Sequence, residues 1–437
     1  MKITVVGLGK IGLPLAVQFA SKGHFVHGAD TNPTVVDLVN AGTEPFPGEA
    51  HLDEKLAEAV KAGNIHATTD TAAAVADSEA VVVVVPLFVD NDGQPDFGWM
   101  ESATADIARG LRKENNTLVI YETTLPVGTS RGKWKPQLEA GSGLNEGTDF
   151  HLVFSPERVL TGRVFADLRK YPKLVGGLDG LGGTGARRAI EFYNAVLDFD
   201  ERPDLERGNG VWDLGSAEAA ELAKLAETTY RDVNIGLANQ FGKFAASHGI
   251  DIYQVIEASN SQPYSHIHSP GIAVGGHCIP VYPRLYLYTD PDATVVRAAR
   301  ETNKGMPAYT VGLAKGAHGD LSGATVVVLG ASYRGGVKET AFSGVFDTVE
   351  ALRAEGATVV VHDPMYTDEE LAAYGWTPYT LGTSNIDVAI LQANHAEYAQ
   401  LTTRDLPGVR TVIDGRCWLN ADNFTDVTFR TVGRAAE

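Results

Sequence analysis

Cysteine is scarce in this sequence: its 437 residues include only two, Cys278 and Cys417. Two thiols cannot form a disulfide framework, and neither cysteine has the neighbours of a zinc site, so we predict no metal centre. Such low cysteine usage fits a reducing compartment, and we expect the protein to be cytoplasmic.

Long apolar runs are also missing. The longest extends from Ala80 to Val89 and is broken by Pro86. A bilayer-spanning helix needs roughly 18 apolar residues, so we predict a buried strand here and no membrane association. The apolar stretch that follows Met1 is too short for a signal peptide, and we expect none.

Positive charge is in the minority, because 36 Lys and Arg stand against 55 Asp and Glu, a net charge of −19. Such an acidic chain is a poor binder of nucleic acid or of an anionic membrane. A local cluster of donors can still hold an anionic small molecule, so this class of ligand stays open.

The pattern that is present predicts an α/β protein of two or three domains. Short β-branched runs alternate with helical stretches, and the runs are continuously apolar, which is typical of parallel strands covered on both faces. One long helix is predicted from about residue 213 to residue 248, where Gly249 ends it. A second α/β pattern begins after about residue 305.

A dinucleotide-binding motif opens the chain. Gly7-Leu8-Gly9-Lys10-Ile11-Gly12 follows a predicted strand and begins a predicted helix. Gly7 permits the turn, Gly9 lets the backbone approach a pyrophosphate, and Gly12 lets helix and strand pack closely. Asp30 ends the next strand and can bind both ribose hydroxyls while repelling a 2′-phosphate, so we expect NAD rather than NADP. The alternative is a glycine turn without a ligand.

Cys278 lies in the run Gly275-Gly276-His277-Cys278-Ile279-Pro280. A thiol beside a hydride acceptor can trap an aldehyde as a thiohemiacetal, and a second oxidation then gives a thioester that water releases as an acid. The sequence therefore predicts an oxidoreductase. A lone cysteine is otherwise a small buried apolar residue, which is our interpretation of Cys417. His277 either lowers the thiol pKa or has a pure backbone or packing role.

Lys224 lies between apolar neighbours on the predicted long helix. A lysine in that setting is either a surface residue whose stem packs on apolar neighbours or a fixed cation beside a reacting carbonyl oxygen.

These residues belong to a set of ordered motifs that resembles the nucleotide-sugar 6-dehydrogenases, the UDP-glucose/GDP-mannose dehydrogenase family. Beyond the glycine motif, the set comprises Tyr121–Thr129 (YETTLPVGT), Phe154–Arg158 (FSPER), Ala220–Lys224 (AELAK), Gly275–Pro280 (GGHCIP), Val359–Pro364 (VVVHDP) and Asp414–Arg416 (DGR). FSPER, Thr229–Asn234 (TYRDVN) and GGHCIPV are more similar to the UDP-N-acetylmannosamine branch than to the UDP-glucose branch.

The resemblance implies two Rossmann-like domains with parallel sheets joined by a long central helix. Residues 1–208 would bind NAD, residues 209–305 would form the central helical and dimerisation region with Lys224 and Cys278, and residues 306–437 would bind the nucleotide sugar. It also implies a homodimer, a UDP-sugar substrate and two successive oxidations at C6 of the sugar, each with one NAD.

The resemblance assigns roles to residues by motif. The catalytic set is Cys278 as nucleophile, Lys224 at the oxyanion, Glu157 as acid or base, Thr124 at the water, and Thr228. The cofactor set is Gly7, Gly9, Lys10, Ile11, Gly12, Asp30, Pro86 and Thr124. The substrate set is Glu157, Arg158, Lys224, Tyr264, His266, Gly275, Gly276, Tyr282, Arg334 and Arg416, the last of these reaching the neighbouring subunit's site.

Several positions depart from the family pattern. Tyr282 replaces an aspartate that assists the hydrolytic water, Thr228 replaces an asparagine, and Ala341 stands where many members have an arginine. Tyr264 and His266 occupy the place of a sugar-binding arginine. We therefore keep four possibilities: oxidation of a UDP-N-acetylhexosamine, oxidation of UDP-glucose, a variant enzyme with altered thioester release, and a non-catalytic nucleotide-sugar binder.

Overall fold

A computed structural model describes residues 1–90 and 93–435. The chain forms two compact units, the first comprising Met1–Glu227 and the second beginning at Thr228. Each unit contains one large sheet with helices around it, so each is described separately.

The strands of the first unit are β1 (Lys2–Val6), β2 (Phe25–Ala29), β3 (Ile65–Thr68), β4 (Ala80–Val83), β5 (Phe88–Val89), β6 (Pro95–Asp96), β7 (Leu118–Tyr121), β8 (His151–Phe154), β9 (Lys173–Gly177) and β10 (Val211–Asp213). Its helices are α1 (Gly12–Ser21), α2 (Pro33–Asn40), α3 (Leu52–Lys61), α4 (Thr71–Ala76), α5 (Gly98–Gly110), α6 (Lys135–Ser142), α7 (Val164–Lys170) and α8 (Thr184–Val196), with a 3-10 turn at Lys113–Asn115 and a π-helical turn at Ser130–Trp134. Helix α9 (Ala217–Ser247) contains the boundary between the units.

The first sheet has the strand order β10-β9-β8-β7-β4-β1-β2-β3. Its pairs are parallel except for β8 and β9, which run antiparallel. The order reverses between β1 and β4, and such a switch point leaves a crevice at the carboxyl ends of the strands. The glycine motif therefore lies where an open α/β sheet binds ligands.

Both faces of this sheet are buried. Along β1, Ile3 and Val5 belong to one apolar cluster and Val6 to another. Along β7, Ile120 belongs to the first cluster and Tyr121 to the second. Successive side chains of a strand point to opposite faces, so a continuously apolar strand requires helices on both sides.

The second unit repeats this architecture in a smaller form. Its helices are α10 (Ile252–Asn260), α11 (Cys278–Thr289), α12 (Thr294–Lys304), α13 (Met306–His318), α14 (Val345–Ala354) and α15 (Asp368–Ala373), with 3-10 turns at Ala396–Gln400 and Ala421–Asn423. Its strands are β11 (Thr325–Leu329), β12 (Thr358–His362), β13 (Thr377–Pro378), β14 (Val388–Leu391), β15 (Thr411–Asp414) and β16 (Thr428–Thr431).

The second sheet has the order β13-β12-β11-β14-β15-β16 and is parallel throughout these pairs. Its order reverses between β11 and β14, which is the arrangement of a Rossmann sheet. The prediction of two α/β sheets of mainly parallel strands and a long central helix is confirmed.

The apolar run from Ala80 to Val89 differs from the prediction in one respect. The buried strand ends at Val83, and Phe88–Val89 pairs instead with Pro95–Asp96 in a separate two-stranded sheet. Pro86 separates the two because it cannot donate to a ladder. Within residues 1–90 and 93–435, no helix combines the length and apolarity needed to cross a membrane.

Glu221 links the start of α9 to the loop that follows β7 by hydrogen bonds. Its side chain is fully buried and accepts hydrogen bonds from the backbone N–H groups of Gly128, at 2.5 Å, and Ser130, at 2.9 Å. Burial nevertheless raises the pKa of Glu221 to about 7. A carboxyl whose pKa is higher in the folded than in the unfolded chain makes stability fall as the pH rises between the two values.

We therefore expect the thermal midpoint of the protein to fall as the pH rises from 4.5 to about 7, with Glu221 lowering the free energy of unfolding by roughly 3 kcal/mol over that range. In Glu221→Gln the loss should be smaller, because the amide does not ionise. Glu218→Gln is the control, since Glu218 forms a part-exposed ion pair with Arg131 and its pKa is lowered by that partner. Equal pH dependence in all three proteins, followed by calorimetry, contradicts the assignment.

Candidate functional site

The glycine motif forms a tight turn between β1 and α1. Gly7 has φ +92°, and a Cβ on Gly12 would stand 1.8 Å from the carbonyl oxygen of Gly7. A Cβ on Gly9 would instead meet nothing within 4 Å. The first turn of α1 has no side-chain cap hydrogen bond, and the space beside Gly9 is open.

Asp30 follows β2, beside this turn. One carboxylate oxygen accepts from the N–H of Leu8 at 2.8 Å and the other from the N–H of Asn32 at 2.9 Å. Each oxygen retains a lone pair, because a carboxylate accepts about four hydrogen bonds. The carboxylate is thus fixed in direction and can still accept from hydroxyl groups.

The other predicted cofactor residues follow strands that end at the same edge of the sheet. Pro86 is exposed after β4, and Thr124 is buried after β7. Lys10 and Ile11 lie within the turn itself. An open space, uncapped helix N–H groups and a fixed carboxylate together fit the pyrophosphate and ribose of NAD.

A second cluster forms where β7 and β8 end. Lys173, on the neighbouring β9, places its Nζ 2.7 Å from a carboxylate oxygen of Glu157 and 3.0 Å from one of Glu122. The hydroxyl of Tyr193, on α8, donates to the other oxygen of Glu122 at 2.5 Å. Lys173 is 4% exposed, so one ammonium is shared by two carboxyl groups with little access to water.

The environment gives the two carboxyl groups different pKa values. Burial pushes the pKa of Glu157 upward, but the charge and hydrogen bond of Lys173 outweigh it, and the net pKa lies below the usual value. Burial raises the pKa of Glu122 to about 7, despite the opposing effect of Lys173. Glu157 is therefore a carboxylate at neutral pH, while Glu122 is partly protonated there.

Glu157 is linked to Lys224 through two further residues. The backbone N–H of Arg158 donates to Glu157 at 2.7 Å, and the guanidinium of Arg158 lies 3.0 Å from Glu227. The other oxygen of Glu227 accepts from Nζ of Lys224 at 3.2 Å. Lys224 is 7% exposed, so it is not a surface lysine of the kind considered from the sequence.

In the second unit, Cys278 is the first residue of α11, at the positive end of the helix dipole. The preceding glycines are packed against Tyr333, in the loop after β11. A Cβ on Gly275 would lie 2.6 Å from the Cβ of Tyr333, and one on Gly276, which has φ +89°, would lie 3.0 Å from its ring. Only glycine allows the chain that carries the thiol to approach this loop so closely.

The side chain of His277 is 67% exposed, with its Nε2 3.8 Å from Glu339 and its ring beside Phe342. The role of His277 stays a prediction. Tyr282 is half-buried and lies one turn after Cys278, on the same side of α11. Cys417 is half-buried at φ +52°, and burial raises the pKa of its thiol, which agrees with a structural role.

Arg416 follows β15 and points into the interior of its own unit. Its guanidinium donates to the carbonyl oxygens of Gln392 at 2.8 Å, Ala273 at 3.0 Å and Tyr333 at 3.4 Å. It thereby ties the segment before Cys278 to the sheet. A contact between Arg416 and a nucleotide sugar in a neighbouring subunit stays a prediction.

The exposed guanidinium of Arg334 lies over the ring of Tyr333, with 5.7 Å from Cζ to the ring centroid. Asp363, which follows β12, fixes the loop that carries Arg334. It accepts hydrogen bonds from the backbone N–H groups of Ala331 at 2.8 Å and Ser332 at 3.0 Å. Buried His395 donates to the same oxygen, at 3.1 Å.

The structure thus collects Glu157, Arg158 and Lys224 in one place, and Gly275, Gly276, Arg334 and Arg416 in another. Tyr264 is 92% exposed on the loop after α10, and the carbonyl oxygen of His266 accepts a hydrogen bond from the side chain of Asn234. Both loop residues stay predictions for substrate binding, as does Thr228, which is buried on α9.

Sequence reasoning missed Glu122, Lys173 and Tyr333. Glu122 lies within the YETTLPVGT motif beside Thr124, so its position was available as a signal. Lys173 is a cation at the start of an apolar strand, which is a weaker signal. Nothing in the sequence around Tyr333 marks it as the neighbour of Gly275.

Models of one family match most of the chain. The NAD-binding domain of the UDP-glucose/GDP-mannose dehydrogenase family matches residues 1–196, its central domain residues 218–305, and its UDP-binding domain residues 327–421. The chain therefore belongs to the UDP-glucose/GDP-mannose dehydrogenase family.

Similar proteins agree with this assignment. A UDP-N-acetyl-D-mannosamine dehydrogenase of Pyrococcus horikoshii is 33% identical over 426 residues, 95% of each chain. A solved structure of the UDP-D-ManNAc dehydrogenase of P. horikoshii has a TM-score of 0.85 at 31% identity, covering 99% of each chain. A UDP-glucose dehydrogenase of Pyrobaculum islandicum also gives a TM-score of 0.85, at 26% identity, covering 99% of this chain and 98% of that one.

The predicted class of enzyme is confirmed: the chain is an NAD-dependent oxidoreductase that acts on a CH–OH group of a nucleotide sugar. The predicted resemblance to the UDP-N-acetylmannosamine branch is confirmed as well.

The glycines of the cofactor turn give a paired prediction. Gly12→Ala should lower the thermal midpoint without NAD, because its Cβ overlaps the oxygen of Gly7. Gly9→Ala should leave that midpoint within about 2 °C of the original and weaken NAD binding at least about tenfold, because its methyl enters the space open to the pyrophosphate.

Calorimetry without NAD and titration with NAD separate the two effects. The interpretation of the open space is wrong if Gly9→Ala binds NAD as tightly as the unaltered protein.

Proposed function

We propose that this enzyme oxidises the C6 alcohol of a UDP-N-acetylhexosamine, such as UDP-N-acetylmannosamine, to the uronic acid in two hydride transfers. The observation that supports the proposal is the thiol of Cys278 at the start of a helix. The same chain has an NAD-binding domain and a buried lysine, Lys224, that is hydrogen-bonded to the carboxylate of Glu227. The choice of sugar rests on the relative of P. horikoshii named above, which is a UDP-N-acetyl-D-mannosamine dehydrogenase by its name.

NAD supplies the hydride acceptor for each oxidation. After the first, the thiolate of Cys278 adds to the aldehyde carbon, forming a C–S bond, and the oxygen takes up a proton. Loss of that proton and a second hydride leaves a thioester. Water then forms a C–O bond, the C–S bond breaks, and the products are a carboxylate and the free thiol. One sugar therefore consumes one water and releases two NADH.

Lys224 suits the oxyanion of these intermediates, because a buried ammonium on a helix is fixed and poorly screened. Glu157 suits the base that takes a proton from water, since it is ionised at neutral pH. Thr124 and Thr228, both buried, are assigned to the water and to the oxyanion, respectively.

The same proposal assigns residues 1–208 to NAD, residues 209–305 to the central and dimerisation region, and residues 306–437 to the nucleotide sugar. Arg334, exposed above Tyr333 at the crevice of the second sheet, suits an anionic diphosphate. Tyr264, His266 and Arg416 complete the proposed substrate set.

A second candidate is an enzyme that releases the thioester slowly or to another acceptor. Tyr282 favours it, because a phenol one turn after the thiol cannot polarise water as a carboxylate does.

A homodimer is also part of the proposal. In the second unit, α9 exposes an apolar stripe formed by Tyr230, Leu237, Phe241 and Phe244 at helical spacing, between 39% and 57% exposed. Four large apolar side chains along one face are typical of an interface between chains.

Turnover tests the reaction. The unaltered enzyme with NAD and UDP-N-acetylmannosamine should form two NADH per sugar and free uronate. Cys278→Ala should lose at least about 10³-fold of this activity, because no acyl intermediate can form. Cys417→Ala is the matched control and should retain activity. UDP-glucose and GDP-mannose serve as competing substrates.

One NADH per sugar, or full activity without the Cys278 thiol, rejects the mechanism. A stable sugar adduct on Cys278, detected by intact mass, supports the slow-release candidate instead.

Phe241→Glu should dissociate the dimer, because a charge in an apolar interface loses its water. Light scattering after size exclusion measures the mass. Gln254→Glu adds the same charge at an exposed polar position of α10 and should remain dimeric. An unchanged mass for Phe241→Glu contradicts the assignment of the stripe.

A further inference from the structure

Three groups that are not assigned to the reaction surround Glu157. Lys173 projects from β9, Glu122 follows β7, and Tyr193 projects from α8. None of them belongs to the predicted catalytic set. Each is buried, so the chain bears the cost of removing two carboxyl groups and an ammonium from water.

The arrangement is asymmetric around the two carboxyl groups. The ammonium of Lys173 is closer to Glu157, at 2.7 Å, than to Glu122, at 3.0 Å. The backbone N–H of Arg158 also donates to Glu157, whereas the hydroxyl of Tyr193 donates to Glu122. Both carboxyl groups lie beside the same ammonium, and the charge of Glu157 contributes to the raised pKa of Glu122. Two carboxyl groups that interact in this way titrate as a pair.

We infer that Lys173 and Glu122 are positioning residues that set the orientation and proton affinity of Glu157. This inference rests on the proposed role of Glu157 as the base. Lys173 draws one oxygen of Glu157 toward β9, and the N–H of Arg158 holds the other. Glu122, whose pKa is raised to about 7, retains a proton near neutrality, while Glu157 stays ionised beside the ammonium of Lys173.

The other charged groups near Glu157 are already engaged. The guanidinium of Arg158 pairs with Glu227, and Asp167, on α7 at the same pocket, pairs with Arg163. Tyr193 remains neutral, because burial raises its pKa well above the usual value. The proton balance around Glu157 therefore depends chiefly on Lys173 and Glu122.

The two residues have opposite effects, which makes the inference testable. Without the cation of Lys173, both carboxyl groups lose the charge that stabilises their ionised forms, so their titrations move to higher pH. Without the acid of Glu122, the titration near pH 7 disappears, while Glu157 keeps its cation.

The experiment compares Lys173→Met, Lys173→Arg and Glu122→Gln as full-length proteins. The pH profile of kcat should move upward by about one pH unit or more in Lys173→Met, with at least about a tenfold loss near neutrality and a smaller change in KM. Lys173→Arg keeps the cation and should restore the profile. Glu122→Gln should lose the inflection near pH 7.

Profiles that coincide with the unaltered enzyme, even with a lowered thermal midpoint, overturn the inference. If Lys173→Met does not fold, the nearly isosteric Glu122→Gln decides alone. Infrared titration of the protonated carboxyl band gives a readout besides activity. It is done without substrate and in a Glu221→Gln background, because the pKa of Glu221 is also raised to about 7. The remaining band should titrate near pH 7, vanish in Glu122→Gln and shift upward in Lys173→Met.

The infrared result also separates this inference from the proposed reaction. An enzyme inactive on every UDP-sugar, yet with the expected band, refutes the reaction and leaves the carboxyl pair in place. Absence of the band in the Glu221→Gln background refutes the pair, whatever the activity.

Discussion

Parallel strand direction is the constraint on which both candidate sites depend. Parallel neighbours bring their carboxyl ends to one edge of a sheet, and the functional side chains follow those ends. Gly7, Asp30, Glu122 and Glu157 follow β1, β2, β7 and β8, which all end at one edge of the first sheet. Residues that are distant in the chain therefore lie along the same edge of the sheet, and no long loop is needed to bring them there.

The two sheets share one hydrogen bond between the first loop and the next strand, but the aspartate that accepts it has different further partners in each sheet. In each, the N–H of the residue after the first glycine donates to an aspartate that ends the next strand: Leu8 to Asp30, and Ala331 to Asp363. Asp30 keeps free lone pairs for ribose hydroxyls, whereas Asp363 also accepts from Ser332 and His395. The second sheet thus presents a fixed loop where the first presents an acceptor, in agreement with two different ligands.

The sequence was sufficient for the fold because the signals are local. Continuous apolar strands, the glycine turn and the breaker at Gly249 each act within a few residues. The nucleophile and the lysine were identified through motifs. The partners of Glu157 were not, because Lys173 reaches it only when β9 turns antiparallel beside β8, and that pairing leaves no local mark. The three carbonyl contacts of Arg416 depend equally on tertiary packing.

The contact of Tyr333 with the chain before Cys278 bears on how this sequence can vary. A methyl group on Gly275 would lie 2.6 Å from the Cβ of Tyr333, and even alanine at position 333 would retain that atom. Shrinking the aromatic residue therefore gives no relief at Gly275, and at Gly276 the φ of +89° strains any side chain even where the ring is smaller. Positions 275 and 276 should therefore both remain glycine in lineages that keep this loop conformation, whatever residue stands at position 333.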